Sequence, residues 1–373
     1  MASRDWRAFL AADMRNAALS IVACAVLEAC GAMEATGYYW QGAAGQLDIL
    51  ARAKPLDVVI AQGDDAALAA RLARAQAIRT YASHDLGLPD NKSFTRYSDL
   101  GRSYVVWNVF AAPPLSLTAR QWCFPVAGCV SYRGYFHESE AREEAARLAA
   151  AGDDVYVSGV PAYSTLGYFD DPILSTFVRW PDTELARLMF HELAHQIVYV
   201  KDDSVFNESF AVAVEEAGLK RWLAAERNPQ LDAQYARAQA QRVIFRDLVQ
   251  TTRERLQAVY AGSATDAEKL VEKQLAFAAM KDAYERARGG DAGMAGYDRW
   301  FAGRDGHGPN NASLSSVALY TAQVPAFMAL LAQEDDSLPR FYARVKELAA
   351  LPKADRDAAL AKLNGDMRAA AAR

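Results

Sequence analysis

His191 and His195 bracket Glu192 in Phe190-His-Glu-Leu-Ala-His-Gln196, an H-E-x-x-H spacing in a chain with five histidines among 373 residues. On a helix, positions four apart lie one above the other. Both imidazoles can therefore hold one metal ion from the same face, while the carboxylate between them projects toward a water. The chemistry such a set supports is hydrolysis, with one Zn2+ ion as Lewis acid and Glu192 as proton carrier. The plain alternative, a buried core helix with two hydrogen-bonded histidines, leaves Glu192 unexplained.

A hydrolytic zinc site usually takes three protein ligands and leaves a fourth position open, so a third ligand is expected nearby. Glu208 is the candidate. It follows His195 by 13 residues, in Asn207-Glu-Ser-Phe-Ala-Val-Ala-Val-Glu-Glu-Ala217, a helical run after the turn-forming Lys201-Asp-Asp-Ser204. A helix, a short turn and a returning helix bring Glu208 against the two histidines, as in the glutamate-liganded zinc peptidases. Glu215, seven residues on, lies nearly above Glu208 and can orient an imidazole N–H; a solvated helix face is the other reading of it. Asp202 and Asp203 read as turn residues rather than ligands.

The elements that must position these side chains can be traced along the chain. Pro181, Asp182 and Glu184 suit a helix start, and Leu185, Leu188, Met189, Leu193, Ile197 and Val198 recur at helical spacing, so the motif helix is predicted over 182–200. Upstream, 41–54 and 64–86 read as helices, 103–111 as a strand rich in Val, Trp and Phe, 115–122 and 129–136 as its partners, 138–151 as a helix and 155–160 as a further strand. From Asn228 onward helices dominate. Leu231, Tyr235, Ala238, Phe245, Val249, Thr252, Leu256 and Val259 follow three-four spacing, and Thr265-Asp-Ala-Glu268 has the form of a capping box that opens a second helix and closes a hairpin. Arg242 in that seam reads as a snorkelling side chain or an interface residue. The expected fold is α+β and predominantly helical, with a zincin-like core, a small β-sheet and a helical C-terminal half. Its parts are a leader over 1–30, a catalytic core over 31–227 and a helical region over 228–373 that completes the cleft.

Two further pieces of chemistry are expected of a peptide-cleaving site. An extended substrate can add itself to an exposed strand edge, so Gly159 and the following Tyr163 are candidate substrate contacts, Tyr163 being equally readable as a packed aromatic. The carbonyl oxygen that becomes an oxyanion needs a second electrophile, for which Tyr320, on a helix after Asn310-Asn311, comes first and His307 second; either can be merely structural. Recognition of a free α-ammonium calls for carboxylates one residue from the metal, and Glu138, Glu140, Asp170 and Asp171 are the available donors.

Beyond the metal motif, several blocks carry a resemblance. Gly37-Tyr-Tyr-Trp-Gln-Gly42, Trp122-Cys-Phe-Pro-Val-Ala-Gly-Cys-Val-Ser-Tyr-Arg-Gly-Tyr-Phe136, Val160-Pro-Ala-Tyr-Ser-Thr-Leu-Gly-Tyr-Phe-Asp-Asp-Pro172, Pro309-Asn-Asn-Ala312 and Val324-Pro-Ala-Phe327 resemble a bacterial family of zinc aminopeptidases that commonly carries a lipoprotein-type N-terminus. The similarity runs from about Gly37 to about Leu331. It implies a peptide substrate, one zinc ion and trimming from free N-termini in the cell envelope. In that scheme Glu192 takes a proton from the bound water and returns it to the leaving amine. An endopeptidase, or a non-catalytic zinc-containing envelope lipoprotein that binds a partner, are the alternatives.

Composition bounds these readings. With 52% hydrophobic and 23% charged residues the chain can bury a large core, and a net charge of −5 without a basic stripe excludes nucleic acid as the main partner. From Ala17 to Ala29 the sequence is apolar except near its end, and it stops at Cys30, which reads as a lipid-anchored processing site on a chain started at Met14; an N-terminal helix of a cytoplasmic protein is the alternative. Beyond that leader only Cys123 and Cys129 remain, with five residues between them in a turn-rich loop, suited to a disulfide in an oxidising compartment or to two free thiols in the cytoplasm.

Overall fold

The computed structural model describes residues 37–124, 128–162, 165–303 and 308–371, the side chains of 319–321 and 365–371 aside. The chain separates into Met1–Ala51 and Arg52–Arg373. In the first unit the described residues begin a helix, α1, over 37–52.

The second unit is α+β and predominantly helical. Its main sheet is antiparallel in the order β6 (Arg133–Tyr135), β3 (Val106–Ala112) and β7 (Asp154–Val160), with Trp107 opposite both Tyr135 and Gly159. Every residue of β3 is buried, so both faces are covered. Phe110, Ala112 and Tyr156 pack on Ala312 of α10 (Asn311–Thr321) and on Val205, while α4 (Glu138–Ala150) packs against β3 and β7. A second small sheet joins β1 (Lys54–Pro55), β2 (Arg96–Ser98) and β8 (Ile173–Leu174), and β4 (Trp122–Phe124) pairs with β5 (Gly128–Val130) as a hairpin. Across that hairpin Cys123 and Cys129 are disulfide-bonded.

The expected strand over 115–122 is absent apart from Trp122. Its place after 103–111 suggests a partner strand, but other groups take carbonyls in and just before it. Asn311 Nδ2 donates to the carbonyls of Pro113 and Pro114, at 3.3 and 3.0 Å, Lys273 Nζ donates to Pro114 and Ser315 Oγ to Leu117. The Leu117 carbonyl and those of Pro113 and Pro114 just before the segment are thus satisfied by side chains from neighbouring helices rather than by a strand ladder.

The motif helix α5 spans Asp182–Ala194 and lies between α3 (Ala66–His84) and α6 (Ser204–Glu226). Its first residue anchors it, since Asp182 accepts from Arg71 and, at 2.7 Å, from Arg74 of α3. Burial opposes the Asp182 charge, but those guanidiniums hold its pKa below the usual carboxylate value. On α6, a Cβ added at Gly218 would lie 2.8 Å from Leu86 and 3.1 Å from the Phe190 ring, so a glycine lets the two helices approach. The other side of α6 carries Phe206 and Phe210 onto Phe327 of α11 (Val324–Gln333) and Phe341 of α12 (Leu338–Ala349).

Helix α5 is shorter than the expected 182–200. It ends at His195, which serves as its C-cap; 195–197 form a turn and 198–200 have no regular secondary structure. Further along, α7 (Pro229–Ala261) and α8 (Asp266–Gly290) form the expected hairpin, opened by the Thr265–Glu268 capping box. Arg242 neither snorkels nor lies free. Its Nη1 donates to Glu184 of α5 at 2.9 Å, and its guanidinium lies over Tyr235 at 5.8 Å.

Candidate metal centre

One face of α5 presents His191 and His195 with ring centroids 4.8 Å apart and planes at 85°. The returning helix α6, capped by Asp203, brings Glu208 to them in its second turn. His191 Nε2 stands 3.2 Å from His195 Nε2 and 3.2 Å from Glu208 Oε2, and His195 Nε2 stands 3.7 Å from the same oxygen. Among the described residues this is the one group of three that could hold a metal ion.

The triangle fits a zinc ion. Donors at about 2.0–2.1 Å from a tetrahedral ion lie about 3.3–3.4 Å from one another, close to the spacing found. The donor chemistry agrees: two imidazole nitrogens and a carboxylate oxygen are all electron-pair donors, and crowding them at this distance is unfavourable unless a cation or a proton sits among them. Burial disfavours a charge on His191, but hydrogen bonds to Glu208 and Glu215 overcome it and hold its pKa up at about 10. Burial likewise opposes the Glu208 charge, yet the adjacent His195 and His191 pull its pKa down to about 2.

Glu215 sits behind the first histidine. Its Oε2 lies 3.0 Å from His191 Nδ1, and its Oε1 accepts from Arg187 Nη1 at 3.0 Å. That contact fixes the ring so that Nε2 faces the centre. Burial raises the cost of its charge, and Arg187 followed by His191 more than offsets it, keeping the carboxylate pKa low. His195 Nδ1, by contrast, is buried with no hydrogen-bond partner among the described residues.

Glu192 is 8% exposed, and burial is the main cause that raises its pKa; the two histidines lower it, while Glu208 and Asp171 raise it further. Raising the pKa of a carboxyl group makes it a better proton acceptor than an ordinary carboxylate. The sequence thus brings together three donors that could hold a metal ion, a carboxylate behind one of them and a buried glutamate beside them.

A family model described as "Putative aminopeptidase" matches residues 37–360. The chain belongs to that family. No curated protein and no solved structure matches it.

The other predicted positions of this aminopeptidase-family chain are distributed as follows. Gly159 lies on β7, the edge of its sheet, where an added Cβ would fall 2.4 Å from the Tyr104 ring, so its lack of a side chain answers to that packing. The Val155 carbonyl accepts from Asn310 Nδ2, and alternate residues of a strand turn their polar groups the same way. The N–H and C=O of Val157 and Gly159 therefore also point away from β3, toward the edge. Tyr320 is part of α10, with its side chain outside the description; Tyr163, His307 and Cys30 lie outside the described residues. Of the four carboxylates considered for the α-ammonium, Asp171 is near enough to Glu192 to influence its ionisation, whereas Glu138 pairs with Arg142 on the exposed side of α4.

Several residues around the site escaped the sequence. Asn207 accepts from the Val200 N–H and donates to the Val200 carbonyl, both at 2.8 Å, tying the start of α6 to the segment that leaves α5. Gln196, one past the second histidine, accepts from Asn91 at 2.7 Å and donates to Ser93. The Asp171 carboxylate accepts from the N–H and hydroxyl of Thr165, closing the loop over 165–171. Only Asn207 had a signal: it is a polar, non-helix-favouring residue placed next to Glu208.

Proposed function

We propose that this chain is a zinc-dependent aminopeptidase that removes N-terminal residues from peptides in the cell envelope. The observation that carries the reading is the His191–His195–Glu208 triangle with Glu192 buried beside it. His191, His195 and Glu208 would hold the ion. Zinc, when bound, supplies a Lewis acid that polarises a carbonyl and makes a water more acidic.

The chain's own residues do the rest. Glu192 accepts a proton as water adds to the scissile carbonyl carbon, and delivers it to the amine nitrogen as the C–N bond breaks. Glu215 keeps His191 in the tautomer with Nε2 free to ligate. The edge at Val157 and Gly159 offers backbone groups to an extended substrate, and Tyr163, four residues on in sequence, is the second substrate contact we propose. We assign Asp171 to the α-ammonium, because it lies by Glu192, and Tyr320 of α10 to the developing oxyanion, because α10 packs against the Glu208 helix.

Export and a lipid on Cys30 complete the proposal, and the Cys123–Cys129 disulfide supports an oxidising compartment. No described helix is long and apolar enough to cross a membrane.

The test compares a set of peptides with their N-acetylated forms, products being read by mass spectrometry. An aminopeptidase loses the acetylated substrates entirely. Equal cleavage of both, at internal bonds, would replace this reading with an endopeptidase.

A further inference from the structure

The metal ligand Glu208 is carried by α6, and its distance from the histidines depends on where that helix begins. Asp203 caps it by accepting from the Phe206 N–H at 3.3 Å, and Asn207 clasps Val200, so 200–207 behave as one unit. That unit is held from the far end of the chain. Arg356, on α13 (Lys353–Ala371), donates to Asp203 Oδ2 through Nη2 at 2.6 Å and Nε at 3.2 Å, and its Nη1 donates to the Leu351 carbonyl at 2.8 Å. Its guanidinium also lies over the Phe206 ring, 5.2 Å from the centroid. The two side chains are 4% and 2% exposed, and Lys353 Nζ reaches the same oxygen at 3.1 Å.

Capping α6 requires only the Asp203 carboxylate; nothing in the capping chemistry calls for a buried guanidinium behind it. A buried ion pair is also a poor source of net stability, since desolvation of both charges offsets their attraction. What the planar fork adds is direction: it fixes the cap and Phe206, two residues before Glu208, relative to α13 and to α11, on which α13 packs. The ligand triangle, with sides of 3.2, 3.2 and 3.7 Å, works only if α6 is held to a fraction of an ångström.

We infer that Arg356 is a positioning residue for the metal centre, setting the place of Glu208 through the Asp203 cap of α6. The inference rests on the metal reading above but not on any peptidase activity. Its test measures the zinc dissociation constant of the full chain by competition with a chromogenic chelator, and the visible spectrum of the cobalt-loaded protein as a readout of ligand geometry. The proteins are wild type, Arg356→Met, Arg356→Lys, the double variant Asp203→Asn with Arg356→Met, and Arg120→Met, which breaks a pair with Asp153 elsewhere. The double variant keeps a capping side chain and leaves no buried charge, so it decides the matter even where Arg356→Met alone does not fold.

The expected result is zinc binding weakened by about tenfold or more in both Met variants, with an altered cobalt spectrum, an intermediate loss for Lys and none for Arg120→Met. Wild-type zinc affinity and spectrum in the double variant would overturn this inference alone. A wild-type chain that binds no zinc would overturn the metal reading and this inference with it.

Discussion

The pair α5–α6 and the hairpin α7–α8 are both long antiparallel helices, yet they use burial in opposite ways. In the hairpin, burial is apolar: Leu256, Ala276 and Met280 form a core with Tyr284 stacked on Phe301, ring centroids 3.7 Å apart, and Phe245 stacked on Tyr297 at 4.3 Å. In the other pair, burial encloses His191, Glu192, His195 and Glu215, groups that water would solvate better than protein. The hairpin is a device for stability. The α5–α6 pair spends stability on holding donors together, as a functional site does.

That contrast can be broken at either end. Leu256 is fully buried in the hairpin, so Leu256→Ala should cost about 3 kcal/mol in chemical denaturation while leaving the zinc dissociation constant unchanged. A comparable loss of zinc affinity in that variant would show that the two regions are not separate. Glu215→Gln should do the reverse, weakening zinc binding by about 10- to 100-fold through the loss of the charge behind His191. Calorimetric titration with zinc reads this, and an unaltered affinity would return Glu215 to a purely structural role.

A smaller effect sharpens the boundary at the start of α5. The folded-state pKa of Asp182 is lowered by Arg71 and Arg74 against the opposing effect of burial, so its contribution to stability is present above the ordinary value of 3.8 and is lost as pH falls through the lowered one. Urea denaturation at pH values stepped downward through that range should show the wild type losing more stability than Asp182→Asn. Parallel curves for the two proteins would show that the guanidinium contacts do not lower the carboxyl's pKa.

Local chemistry was legible in the sequence and long-range chemistry was not. His191, Glu192 and His195 share one helix, and Glu208 follows a turn so short that its return is forced, so spacing alone suffices to group them. The capping box at Thr265 and Glu268 is equally local, and so is the hairpin it opens. The failures have a common cause. The segment 115–122 reads as a strand because it follows the strand-like 103–111, while Ser315, which takes the Leu117 carbonyl, and Asn311 and Lys273, which take the Pro114 carbonyl just before it, come from far along the chain. The end of α5 at His195 and the clasp of Asn207 on Val200 depend on how α6 returns, and the Arg356–Asp203 pair joins positions 153 residues apart. No period or propensity encodes such pairs.

The central claim is that the His191–His195–Glu208 centre holds zinc and that Glu192 makes it hydrolytic. The most direct measurement is zinc content and hydrolysis of a mixed peptide library by the wild-type protein and by Glu192→Gln. Both should carry one zinc ion per chain, with turnover lower by about 10³-fold in the Gln variant and N-terminal residues lost stepwise by the wild type. Equal turnover by the two zinc-loaded proteins, or bound zinc with no cleavage by either, would contradict the account.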